Sequence, residues 1–447
     1  MMVPTRGAVL VCIGVSLFLV AMTAGAVSAP DRDLGTTTGA ETLVGVQGGW
    51  VTGGNVRLYS GNEEVWRMSS ADSYFEVSML PDGTLLAAFA NEGVTSCGNL
   101  DSPCARTGVH RLDPSVESGP QIVDEYSFPV ASLTNSEVHG VDRIDNNTYI
   151  FTDMDAERIV LVDNGTNAWE WRASSFYDEP DDPTSRDWLH INDVDAIDER
   201  RFLVSVRNAN QLVVVERGRG VVEVINEDDG ETESDTSCTK DGQLKDFDGD
   251  GDVRCGDPTV LNHQHNPQWL GSGAVLVADS ENDRIVELHR VEDGSWQPVW
   301  SVEKAGGVAL DWPRDADRLP NGNTLITDSL NKRVVEVDET GKAVGGIGTG
   351  SDIPYEADRL PGDEYTGPYM SAAESNSEQR VPIATETGRI SESNTASEVP
   401  ILTLVITGLR GTFDWIPYWF AERHLLVALV SVVFVITGCI DMRRSRR

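Results

Sequence analysis

Three histidines, His139, His190 and His265, and two arginines, Arg207 and Arg314, are the residues whose types and spacing could do chemistry. The chain holds only seven histidines, and these three fall at or beside one recurring position. A neutral imidazole is a nucleophile and moves protons near neutral pH. Three imidazoles alone would suit zinc. A guanidinium at the same depth repels a cation and favours an anion, so the set points to transfer or binding of an anionic group.

The recurring position comes from a repeated sentence. His139 to Asp153 reads H-G-V-D-R-I-D-N-N-T-Y-I-F-T-D, His265 to Asp279 reads H-N-P-Q-W-L-G-S-G-A-V-L-V-A-D, and Arg314 to Asp328 reads R-D-A-D-R-L-P-N-G-N-T-L-I-T-D. Each joins a short inner segment to an alternating strand through a turn. Asn321-Gly322 between apolar runs is a strong hairpin signal, one that asks both turn residues to take positive φ. Repeats of about 40–50 residues made of short strands read as a β-propeller.

Counting units gives an all-β, six-bladed β-propeller over residues 42–361. Thr42 to Ser70 supplies three strands without an inner one. Full units follow from Tyr74, His139, Trp188, His265 and Arg314. Tyr355 to Pro361 matches an inner strand with nothing after it, so this fragment and residues 42–70 together complete one blade and close the ring. Trp66, Trp171 and Trp300 recur in outer strands and read as packing between blades. First strands line a propeller's channel, so one register forms a ring there: Phe75, His139, Asn192, His265, Arg314 and Tyr355. His190 stands two residues before Asn192, and Arg207 ends the strand after it.

Composition narrows the partners. With 72 acidic and 35 basic residues the net charge is −37, which excludes nucleic acid as a partner. A dense carboxylate surface reads as adaptation to high salt, of the haloarchaeal kind. Residues 1–29 read as a signal peptide ending at Ala29 or as an N-terminal anchor. Residues 362–398 read as a flexible acidic linker. Residues 399–447 hold an interfacial stretch with Trp415, Tyr418 and Trp419, then an apolar run from Leu425 to Ile440. That run is sixteen residues, short for a span, and a basic tail follows. The positive-inside rule puts the tail in the cytoplasm and the propeller on the extracellular face of the cell membrane. Cys97, Cys104, Cys238 and Cys255 fit two disulfides, Cys97–Cys104 and Cys238–Cys255 by proximity.

An insertion, residues 228–262, carries D-F-D-G-D-G-D-V-R-C-G-D. Asp246, Asp248, Asp250, Gly251 and Asp257 fit the spacing of a calcium loop, with Asp252 in the same run. It reads as a structural Ca2+ site, against the plainer alternative of an acidic surface loop.

The pattern L-H-I-N-D-V-D…F-L-V-S-V-R at Leu189 to Arg207, with N-H-Q-H-N at Asn262 to Asn266, resembles the PAPS-independent arylsulfate sulfotransferases. The resemblance covers about His139 to Asp338. It implies an exported propeller that moves a sulfuryl group from a phenolic sulfate to a phenol through a sulfated histidine, without a nucleotide cofactor. On it His265 matches the nucleophile, His190 and Arg207 match a His–Arg pair one strand apart, and His139 matches a further channel histidine. The family's usual Q-H-D is Q-H-N here, and Arg314 has no counterpart role. Large bacterial members carry an additional N-terminal β domain with no counterpart here. Two other classes compete. One is a non-catalytic NHL-like surface propeller holding a small anion or a protein. The other is a metal-dependent propeller hydrolase such as a lactonase, which needs Glu, Asp and Asn at the ring position, where this chain offers His and Arg.

Overall fold

The apolar alternation of the repeats becomes six four-stranded antiparallel sheets. The computed structural model describes residues 5–29, 34, 40–49, 52–115, 119–133, 135–227, 238–239, 244–271, 273–360, 400–413 and 416–445. The linker, Trp415 and residues 228–237 and 240–243 of the insertion lie outside them. Blade 1 draws on both ends of the propeller. Its inner strand Ile353–Leu360 pairs with Glu41–Gln47, Glu41 opposite Leu360 and Val44 opposite Ala357, and Asn55–Ser60 and Glu63–Met68 follow outward. Blade 2 runs from Ser73–Met79 to Gln121–Val130, blade 3 from Val141–Arg143 to Thr166–Arg172, and blade 4 from Ile191–Ala196 to Gly220–Ile225. Blade 5 runs from His265–Gly271 to Trp296–Val302, and blade 6 from Pro313–Arg318 to Ala343–Gly348.

Each interface between adjacent blades has its own apolar cluster. Leu43 and Val56 meet Tyr74 and Leu85 between blades 1 and 2, Ile159 and Trp171 meet Phe202 and Val204 between blades 3 and 4, and Leu276 and Trp300 meet Ile326 and Val335 between blades 5 and 6. Trp66 packs against the first of these clusters. All three recurrent tryptophans therefore serve packing.

The aspartate that ends the repeated sentence is structural too. Arg158, Arg284 and Arg333 bond Asp153, Asp279 and Asp328 at 2.7 Å each, five residues apart every time. In blade 4 the corresponding pair is Val206 and Gln211, so that blade lacks the clamp.

Inner strands present a second problem, because one edge of each faces the channel with unpaired N–H groups. Side chains from the neighbouring blade satisfy them. Glu76 accepts from Val141 N at 2.8 Å, Asp142 from Ala196 N at 2.6 Å and Asp195 from Trp269 N at 2.5 Å. Gln268 accepts from Arg318 N at 2.7 Å, Asp315 from Ala357 N at 3.1 Å and Glu356 from Val77 N at 2.8 Å. Every blade is thus stapled to the next, around the whole ring.

The turn at 320–323 differs from the sequence expectation. Gly322 N and Asn323 O both bond Leu319, and only Gly322 takes positive φ, +87°. Pro320 locks φ negative, so a two-residue turn with both φ positive gives way to a longer one with glycine at its left-handed position. Both disulfides, Cys97–Cys104 and Cys238–Cys255, are formed.

A second unit comprises the chain's terminal segments. Arg6–Ser28 and Glu422–Arg444 are helices of 23 residues, both long and apolar enough to cross a membrane. The second exceeds the sixteen residues read from hydropathy, because helix continues through His424 and Arg443 at its polar ends. At about 1.5 Å per residue either exceeds the roughly 30 Å hydrocarbon layer. They pack closely at small residues: a Cβ on Gly7 would lie 2.6 Å from Gly438 O, and one on Gly14 2.7 Å from Ser431 O. A shorter helix, Pro400–Thr412, precedes the second.

Candidate active site

Five of the six inner strands bulge at the ring position or directly after it. Pairing skips Tyr355 in blade 1, Phe75 and Glu76 in blade 2, Asn192 in blade 4, Asn266 and Pro267 in blade 5, and Arg314 in blade 6. A bulge frees a residue from the ladder and re-aims its side chain. In blade 4 the bulge works with a left-handed His190, φ +55°, and it brings His190 within 5.6 Å of the His139 ring despite the two-residue offset. Tyr355 joins them, 5.1 Å from His139 and 6.1 Å from His265 between ring centroids. Arg314 lies over Tyr355 at 4.9 Å and over Trp312 at 3.8 Å. His139, His190, His265, Arg314 and Tyr355 therefore stand around one point, and the charge of Arg207 reaches all three imidazoles.

Hydrogen bonds fix the tautomers. His265 Nδ1 lies 3.1 Å from the His263 carbonyl and 2.9 Å from Ser280 Oγ. A carbonyl only accepts, and Ser280 spends its one proton on Pro313 O at 2.6 Å. Nδ1 therefore carries the hydrogen, and the lone pair sits on Nε2. Arg314 donates to the Tyr355 hydroxyl, whose own proton goes to His139 Nδ1 at 3.0 Å. His139 is thus protonated on Nε2, a buried donor with no partner, as is Arg314 Nε. Orphaned donors on two residues of this cluster are what an anion would satisfy.

His190 is held from several sides. Its Nδ1 bonds Asp187 at 2.6 Å. Glu157 of blade 3 grips its backbone, accepting from Leu189 N at 3.0 Å, His190 N at 2.7 Å and Ile191 N at 3.0 Å. Asn208 Nδ2 ties the same loop through Asp187 O at 3.0 Å.

Electrostatics keep the imidazoles neutral. Burial, then the charges of Arg314 and Arg207, pushes His265 well below the usual histidine value. Burial with His190, Arg314 and Arg207 does the same to His139. Burial lowers His190 as well, with Asp187 opposing it. The Arg314 guanidinium is itself pulled down to about 10, chiefly by burial.

Sequence spacing does not disclose Glu157 or Ser280, which come from other turns of the chain. Asp187, three residues before His190, is the one partner that local sequence could have signalled. In the insertion, Asp246, Asp248 and Asp250 bring carboxylate oxygens within 4.8 Å of one another, all exposed. Asp252 and Asp257 are not in that group; Asp252 N bonds Asp250 at 3.0 Å, and Asp257 accepts from Thr259 N at 2.8 Å.

Fold and site together define a six-bladed propeller whose channel gathers imidazoles and guanidiniums at one level. Residues 133–293 match the family model described as Arylsulfotransferase (ASST), a segment that contains His139, His190, Arg207 and His265 and supports sulfuryl transfer in general. Arg314 and Tyr355 lie beyond it. No curated protein matches the chain. Among solved structures, a protein of unknown function from Bacteroides caccae is 14% identical, with 72% of this chain and 100% of that one covered and a TM-score of 0.46. The periplasmic gluconolactonase of Pseudomonas aeruginosa is 14% identical over 72% and 99%, TM-score 0.39. Virginiamycin B lyase from Staphylococcus aureus, an inactive variant with quinupristin, is 8% identical over 71% and 86%, TM-score 0.39.

Proposed function

We propose that the protein is an aryl sulfotransferase that passes a sulfuryl group from a phenolic sulfate ester to a phenol through His265. The observation that carries this reading is the fixed tautomer of His265: a buried, neutral imidazole with its lone pair on Nε2, among orphaned donors suited to sulfate oxygens.

In the first half, Nε2 attacks sulfur, the S–O bond to the aryl group breaks, and the phenolate departs. The N-sulfonated ring keeps its Nδ1 proton. In the second half, His190 Nε2 removes the acceptor's phenolic proton, the phenolate oxygen attacks sulfur, and the S–N bond breaks, restoring neutral His265. The proton on His190 returns to solvent, where the first phenolate takes one up. Arg207, Arg314 and His139 Nε2–H hold the three equatorial oxygens, where charge spreads in such transfers. Asp187 orients His190 and stabilises its charged form. No nucleotide enters these steps.

The two apolar helices support an anchored protein, with Arg443 and Arg444 on the cytoplasmic side and the propeller outside. A calcium ion on Asp246, Asp248 and Asp250, in the loop that Cys255 ties to Cys238, is a structural part of the same reading. Added calcium should raise the melting temperature, and Asp248→Asn should abolish the rise.

The test is full-length protein in detergent and high salt, given a chromogenic aryl sulfate with and without a second phenol. Acceptor-dependent release that vanishes in folded His265→Ala, with one sulfuryl group found on His265 by mass spectrometry, supports the proposal. Inactivity of folded wild type across several donors overturns it in favour of an anion-binding propeller.

A further inference from the structure

The triplet Asn-x-Ser/Thr, with x other than proline, occurs twice in the 447 residues, at Asn146-Asn147-Thr148 and at Asn164-Gly165-Thr166. Both copies fall in blade 3. The first belongs to the turn between Val141–Arg143 and Thr148–Asp153, the second to the turn between Arg158–Asp163 and Thr166–Arg172. Asn164 N bonds Asn147 O at 3.0 Å, so the two turns lie side by side. His139 precedes the inner strand and the first turn follows it, which sets both turns at the opposite end of blade 3 from the imidazoles.

Each turn is shaped by its own polar residues and leaves its asparagine exposed. Asp145 accepts from Asn147 N at 2.8 Å and from Thr148 N at 2.9 Å. Asn164 takes φ +47° and Gly165 φ +73°, the left-handed pair of a two-residue hairpin. Asn164 Nδ2 gives one hydrogen to Asp163 at 2.6 Å, and its other hydrogen can be exchanged without breaking that bond. Both asparagines also line one space of about 240 Å3 between blades 2 and 3. Leu80, Leu86 and Val109 make it apolar on one side, Tyr126 and Tyr149 are its aromatic members, and Arg111 bonds Asn146 O at 3.0 Å across the two blades. Aromatic and apolar surface beside charged groups suits a sugar ring, which has C–H faces and a hydroxyl rim. The chain is also fitted for export. Cys97–Cys104 and Cys238–Cys255 are formed, as oxidising compartments allow, and two helices are apolar enough to cross a membrane.

We propose that Asn146 and Asn164 carry N-linked glycans whose first sugars lie in this space. The co-reactant is a lipid-linked oligosaccharide, brought to the turns by a membrane oligosaccharyltransferase. Nδ2 loses one proton to solvent and bonds the anomeric carbon. The bond from that carbon to the lipid phosphate oxygen breaks, and the phosphate leaves with its electrons. The N–H that remains on Asn164 keeps its bond to Asp163. None of these steps depends on the sulfuryl-transfer reading.

The sample is full-length protein exported by a cell whose own surface proteins carry N-linked glycans, purified from its membranes. Trypsin cuts after Arg143, Arg158 and Arg172 and so separates residues 144–158 from residues 159–172, with one site in each. Mass spectrometry should find both peptides heavier by that cell's oligosaccharide, with Asn146→Gln and Asn164→Gln each erasing one addition. Amide hydrogen exchange tests the seating: residues 124–126 of blade 2 should exchange more slowly in the glycosylated chain than in the double variant. Unmodified peptides from the exported chain, or exchange in blade 2 indifferent to both substitutions, overturn the proposal.

Discussion

Arg314 is the residue at which activity and stability should part. Its guanidinium is buried and lies between Trp312 and Tyr355; among the described residues no carboxylate comes within ion-pair distance of it. Burial lowers it from the ordinary arginine value to about 10. At about 1.4 kcal/mol per unit, holding that charge inside costs the native state on the order of 3 kcal/mol. Arg314→Met keeps the apolar stem and removes the cost, and it gives up cation–π contacts worth about 0.5–2 kcal/mol. The variant should therefore be more stable by about 1–3 kcal/mol. Loss of one positioned donor in the transition state should meanwhile cut turnover by roughly 10²–10³. Two measurements on one preparation decide: the denaturant midpoint by tryptophan fluorescence, and acceptor-dependent release from an aryl sulfate. A variant that keeps full activity, or that loses several kcal/mol of stability, refutes the argument, because the cation would then hold the fold and not the substrate.

Three further outcomes follow from the same geometry. His265 is held well below its usual value by burial and by Arg314 and Arg207, so kcat/KM should stay flat as pH falls through 6.5 and decline only well below it; a limb centred near 6.5 in the pH–rate profile would contradict this. His139, His190 and His265 would take up protons on unfolding below about 6.5, but the buried carboxyls that the native state keeps protonated, Glu157 and Asp193 at about 8 and Asp315 and Asp358 at about 7 among them, outnumber them and ionise on unfolding, so stability should rise as pH drops through about 7, seen as a higher denaturant midpoint. Glu157→Gln sets an amide N–H2 against one of three backbone donors and should cost about 2–4 kcal/mol, with turnover falling through misplacement of His190; an unchanged midpoint would show that the grip on 189–191 is not needed.

The architecture was legible because it repeats. The Leu–turn–strand–Asp frame marks blades 3, 5 and 6 directly, and Tyr355-Glu356-Ala357 reads as an inner strand lacking a blade. The same frame brought His139, His265 and Arg314 to one level. It could not show why Asn192 yields to His190, because a bulge leaves no mark in the alternation of side chains. Nor could it separate the acids. Asp153, Asp279 and Asp328 are clamps on the next arginine, Glu76 and Asp142 are staples to the next blade, and Asp193 is neither. In a sequence this acidic the three kinds look alike, and only the backbone N–H groups they meet tell them apart. Ser280 was hidden for another reason: its role rests on a proton it spends on Pro313, 33 residues away.

Ring closure has a mechanical side. Glu41 sits opposite Leu360, so the chain enters and leaves the propeller at neighbouring points on one sheet. Load arriving along both connecting segments would meet that strand pair end-on and open it peptide by peptide, as a zipper opens. It would not have to slide the strands past each other and break all their bonds together. Yielding would begin at Glu41 and Leu360, at the end of blade 1 where the two strands meet the rest of the chain. A single-molecule pull through handles attached at positions 40 and 361 should thus see a low first rupture, with later events at higher force as intact blades are engaged.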